Sequence, residues 1–105
     1  MELEKFSKEA LRIHKLYVEY EKKKFGKKWN TEELFIGLVS DIGDLSRLVL
    51  AKKGMMKIKN LKEQLGHEIS DCLWGILVLA DEYDVDIKKV FFKNMKELEK
   101  RMKKK

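Results

Sequence analysis

Residues 72–80, Cys72-Leu73-Trp74-Gly75-Ile76-Leu77-Val78-Leu79-Ala80, carry no charge. On a helix with Ile69 set at zero, Leu65, Cys72, Ile76, Ala80 and Tyr83 lie within about 60° of it, while Trp74 and Val78 fall on the opposite side. A helix that is apolar all round must be covered on every side, so this one lies at the centre of a bundle or in a subunit interface. The run is nine residues long, against the ~20 needed to cross a bilayer. No membrane span is expected.

The flanks extend this reading. Asn60-Leu61-Lys62-Glu63 sets a capping residue three positions before an acid and opens a helix that runs to about Tyr83. Asn30-Thr31-Glu32-Glu33 has the same pattern and starts a helix that reaches about Lys53, with Gly54 as its stop. Residues 54–59 form a short loop between the two. Upstream, Leu3, Phe6, Ala10, Ile13, Tyr17 and Tyr20 recur at helical spacing, which predicts a helix over 2–24 that ends at Gly26. Downstream, Asp84-Val85-Asp86 is a turn with Asp86 as cap. The fourth helix carries Val90, Phe91, Met95, Leu98 and Met102 and frays into a basic tail at 100–105. No strand pattern occurs. The expected fold is all-α: a single domain over residues 1–105, a four-helix bundle completed by self-association as a dimer or tetramer.

The chain has 105 residues and a formal net charge of +6. Lys100, Arg101, Lys103, Lys104 and Lys105 stand in its last six residues, and residues 1–99 hold 19 bases against 18 acids. The excess therefore describes one terminus, and nucleic acid is not the expected partner. A single cysteine excludes an internal disulfide and fits a reducing, cytoplasmic setting. Met1-Glu2-Leu3-Glu4-Lys5 has no secretory pattern.

Four acids stand where an apolar bundle does not place them. With Leu38 at zero, Leu34, Leu45 and Leu48 form an apolar stripe; Asp41 projects from within it and Asp44 sits at its edge. Gly37, one turn before Asp41, leaves open space beside them. Glu68 and Asp71 take corresponding places on the next helix, with Gly75 one turn further on. Each pair is spaced i, i+3 and shares a helix face. Two antiparallel helices joined by a short loop bring the pairs together. Crowded carboxylates in a partly dry site repel, and divalent cations relieve this. Oxygen ligands without Cys or His favour Mg²⁺ or Mn²⁺ over Zn²⁺.

Asp41-Ile42-Gly43-Asp44-Leu45 followed by Glu68-Ile69-Ser70-Asp71 resembles the MazG-like all-α nucleotide pyrophosphohydrolases, a superfamily that includes the dCTP pyrophosphatases. Their signature is E-x-x-E, a spacer, then E-x-x-D, the first half typically written E-V-G-E-L. Gly43 matches the family glycine, and Asp41 and Asp44 stand where the family typically has Glu. The likeness covers roughly residues 29–101.

It implies a Mg²⁺-dependent enzyme, with Mn²⁺ as the other option. Such an enzyme cleaves a (deoxy)nucleoside triphosphate between the α and β phosphates to monophosphate and pyrophosphate, as in nucleotide-pool house-cleaning. It implies Asp41, Asp44, Glu68 and Asp71 as catalytic metal ligands, one of the first two orienting the attacking water. It implies Lys93 and Arg101 as phosphate contacts and Trp29 as a ring that stacks on the base. Trp29 also reads as a staple at the start of its helix, packed on the core. Trp74 reads as core or interface, His14 as a surface residue, and His67, next to Glu68, as an exposed helix residue or a phosphate contact. The alternative function is a non-catalytic nucleotide-binding or interaction module derived from this fold.

Overall fold

The computed structural model describes residues 2–55 and 57–104. They form four helices, α1 (Glu2–Phe25), α2 (Thr31–Lys52), α3 (Leu61–Glu82) and α4 (Ile87–Lys103), and no strand is present among them. Most helix ends follow from local chemistry. The Asn30 side chain accepts from the Glu33 amide at 2.8 Å, and the Glu33 carboxylate accepts from the Asn30 amide at 2.9 Å, closing a capping box. Asp86 caps α4 by accepting from the Lys89 amide at 3.3 Å. Gly26 and Gly54 follow α1 and α2 with φ of 79° and 86°, the left-handed conformation that glycine adopts without strain.

One end differs from the sequence reading. Asn60 does not cap α3 with its side chain: its backbone is left-handed, with φ 53° and ψ 43°, whereas a capping side chain needs extended backbone. Gln64 instead donates its amide to the Lys59 carbonyl at 2.7 Å. The helical backbone of α4 extends into the basic segment, through Lys103. Lys100, Arg101 and Lys103 form its last turn, where positive charge suits the negative end of the helix dipole. Lys105 lies outside the described residues.

α2 and α3 pack antiparallel, Leu38 opposite Gly75 and Asp41 and Asp44 opposite Glu68 and Asp71. A methyl group at Gly75 would stand 3.1 Å from Leu38 Cδ1, so the missing side chain sets the close approach. Leu38, Leu48 and Ala51 of α2 and Cys72, Leu77 and Val78 of α3 are buried, joined by Ala10 of α1. α1 covers one side of α3. There the Trp74 indole donates to the Ala10 carbonyl at 3.0 Å, and its ring lies 5.7 Å from that of Tyr17.

The four-helix bundle expected from the sequence is not closed within one chain. α4 buries no residue. The turn before it starts α4 against the N-terminal end of α1, where Lys88 Nζ meets Glu4 Oε1 at 2.8 Å. The radius of gyration is 16.9 Å, against ~13 Å for a compact chain of this length. The accessible surface is 8916 Å², against about 6,200 Å² for a folded monomer of this mass.

Much of the surplus is apolar and ordered. Phe35, Val39, Ile42 and Val49 stand exposed along α2, and Ile69, Leu73, Ile76 and Tyr83 stand exposed along α3 at the same 4-3-7 spacing. Each stripe lies about a quarter turn, in the same rotational sense, from the side that packs on the other helix. In an antiparallel pair this puts both stripes on one face. That outer face lies opposite α1.

Candidate functional site

On the other side, α1 packs on α3 and leaves α2, and a cavity of about 990 Å³ opens between them. Tyr17, Trp29, Leu34, Trp74 and Val78 supply its apolar wall, and Asp41 and Asp71 stand at its edge. Trp29 takes its place because Gly37 has no side chain: a Cβ there would lie 3.2 Å from the indole. The space that the sequence left open beside Gly37 is therefore occupied by Trp29, which remains 46% exposed.

The carboxylates do gather, with Glu68 as the pivot. One oxygen each from Asp41, Asp44 and Glu68 lie within 4.8 Å of one another, and so do ligand atoms of His67, Glu68 and Asp71. Burial, then the charges of Asp71 and Asp44, hold the Asp41 carboxyl above its usual range, and His67 works against them. Glu68 is raised in the same way, by desolvation first and then by Asp71, Asp44 and Asp41. Cys72 lies beneath these groups; its burial and the nearby carboxylates push the thiol up. Arg47 Nη2 lies 3.7 Å from Asp44 Oδ1 and His67 Nε2 lies 3.3 Å from Asp71 Oδ2, both on the solvent side.

These residues fit a divalent cation. Glu68 Oε2 is enclosed and has no hydrogen-bond partner, an orphaned acceptor of the kind a cation satisfies. The crowding that raises Asp41 and Glu68 reverses once positive charge stands among them. The donor set is mainly carboxylate oxygen, the preference of Mg²⁺ and Mn²⁺. It is not free of histidine as the sequence suggested, since His67 is within reach of Glu68 and Asp71. Its position one turn before Asp71 was the available signal.

The other expected residues divide. Trp74 lies between α1 and α3 and lines the cavity. His14 is not a surface residue: its side chain is 17% exposed, its Nε2 lies 3.5 Å from Glu82 Oε1, and its Nδ1 is enclosed without a partner. The ring sits 6.4 Å from Trp74, because α1 turns that face toward α3. Lys93 and Arg101 stand exposed on α4, and no lysine or arginine lines the cavity among the described residues. No helix among the described residues is long and apolar enough to cross a membrane. Comparison with models of known protein families, with curated proteins and with solved structures finds no match to this chain.

Proposed function

We propose that this chain is a divalent-cation-dependent nucleoside triphosphate pyrophosphohydrolase, working as a homo-oligomer. The observation that carries the reading is the acid cluster, with its orphaned Glu68 oxygen, at the edge of an aromatic cavity. A triphosphate carries about four negative charges and cannot approach bare carboxylates. Asp41, Asp44, Glu68 and Asp71 would hold Mg²⁺ or Mn²⁺. A bound cation supplies charge neutralisation at the phosphates and lowers the pKa of water. Positioning is then the main task of the protein.

Trp29 and Tyr17 offer rings on which a base can stack, a contact worth ~1–3 kcal/mol. Asp41, the more enclosed of the α2 acids, is placed to orient the attacking water. For the phosphates we assign Arg47 and His67, already beside the acids, ahead of Lys93 and Arg101, which stand exposed on α4 and outside the cavity lining. The products are the monophosphate and pyrophosphate.

The test is a panel of ribo- and deoxynucleoside triphosphates with Mg²⁺ or Mn²⁺ and identification of products. Monophosphate and pyrophosphate in equal amounts support the reading, and no turnover of any of them with either cation overturns it. Among the described residues no lysine or arginine lines the cavity wall, which favours one second reading, a non-catalytic nucleotide-binding module. In that case nucleotide plus Mg²⁺ raises the melting temperature and no product forms.

A further inference from the structure

Two apolar surfaces of this chain have no cover: the outer face of the α2–α3 hairpin and the stripe Phe91, Met95, Leu98 and Met102 of α4. They are comparable in length. The hairpin stripes span 15 residues each and the α4 stripe 12, about 22 and 18 Å of helix. They match in spacing, because Phe91, Met95, Leu98 and Met102 follow the same 4-3 rhythm as the hairpin residues, which allows one helix to seat its side chains between those of the other. They are opposite in charge. α4 carries seven bases and two acids, net +5, while α2 and α3, leaving out the four cluster acids that face the other side, carry five acids and three bases, net −2.

We infer that α4 of one copy lies across the outer face of the α2–α3 hairpin of a second copy, and that the exchange is reciprocal. This deepens the self-association proposed above and does not rest on the hydrolytic reading. A chain cannot cover its own face this way. α4 starts on the α1 side of α3, held by the Lys88–Glu4 pair and by the Val85 amide donating to the Ala80 carbonyl at 2.8 Å, and the open face is on the other side. Pairing hairpin with hairpin leaves both α4 stripes in water. Pairing α4 with α4 opposes two helices of net +5. Reciprocal exchange covers both surfaces at once and closes with two-fold symmetry. The surface in excess of a compact monomer, about 2,700 Å² per copy, is well above the ~800 Å² per partner of a standard interface.

The exchange is tested on the full chain. Unlabelled and ¹⁵N-labelled protein are refolded together, sized by sedimentation, and treated with a carbodiimide that joins lysine to carboxylate without a spacer. The expected result is a dimer at micromolar concentration whose mixed-isotope peptides join α4 lysines to acids of α2 or α3. The double variant Met95→Asp/Leu98→Asp is expected to keep its helical circular dichroism and to dimerise about 30-fold more weakly or worse.

A monomer overturns the exchange together with self-association, and a monomer that instead binds phosphatidylserine vesicles through α4 assigns the stripe to a membrane surface. A dimer with mixed-isotope links between hairpins alone, or with α4 links of single isotope only, overturns the exchange and leaves self-association standing. None of these outcomes depends on nucleotide turnover.

Discussion

The two sides of the α2–α3 hairpin are built from the same helices and differ in what they place in view. One side presents Asp41, Asp44, Glu68 and Asp71 beside a cavity walled by tyrosine and tryptophan. The other presents two parallel rows of aliphatic and aromatic side chains and no acid of these pairs. About a third of a turn of helix or more separates the two sets. The acid side holds groups that repel one another and need a counter-charge; the apolar side holds groups that need cover. A packed hairpin can keep these demands apart because Leu38, Leu48, Cys72 and Val78 form a dry layer between them.

Several changes break or sharpen this contrast. The largest expected effect is on the acid side. Glu68→Gln should lower cation-dependent turnover by more than about 100-fold, since even outer partners of a metal site cost 10–100-fold. Its melting temperature without cation should be unchanged or higher, because a repelling charge is gone. A low cation-free melting temperature would show that Glu68 serves the fold rather than the site.

Within the dry layer, Leu48→Ala should cost about 2–5 kcal/mol in denaturant unfolding. By contrast, Ile42→Ala on the outer face should change the stability of an isolated protomer by less than about 0.5 kcal/mol. The two central glycines should move in opposite directions. Gly75→Ala forces Leu38 aside and should cost about 1–3 kcal/mol. A methyl group at Gly43 meets nothing within 4 Å, so Gly43→Ala should stabilise α2 by about 0.5–1 kcal/mol.

The smallest effect is in pH. Asp41 and Glu68 are raised from their ordinary values of 3.8 and 4.5, so the folded chain keeps their protons to higher pH than the unfolded chain. Stability without cation should therefore fall as pH rises from those values through the raised folded ones. Thermal melting with and without Mg²⁺ should show this slope only in the cation-free samples.

The helices were legible because their signals are local. Asn30, Glu33 and Asp86 cap through their own neighbours, and Gly26 and Gly54 turn the chain by themselves. The acid pairs were legible from periodicity alone, since i, i+3 spacing on an apolar stripe fixes the face. Asn60 was not, because its left-handed backbone depends on how the loop delivers the chain. Trp29 over Gly37 was not, because which ring fills a gap is decided between elements. His14 was not, because the pattern of α1 does not say that α3 sets Glu82 and Trp74 beside it. The course of α4 was not legible either. Its stripe says that one face needs cover and is silent on what supplies it.

Cys72 is the only thiol in the chain, and it sits in the dry layer with its ionisation opposed by burial and by Asp41, Glu68 and Asp71. A protonated, enclosed sulfur does not react with alkylating reagents until α2 and α3 part. The rate of its labelling is therefore a clock for hairpin opening. A cation that ties the two helices together should slow that clock at one identifiable atom, without any nucleotide present.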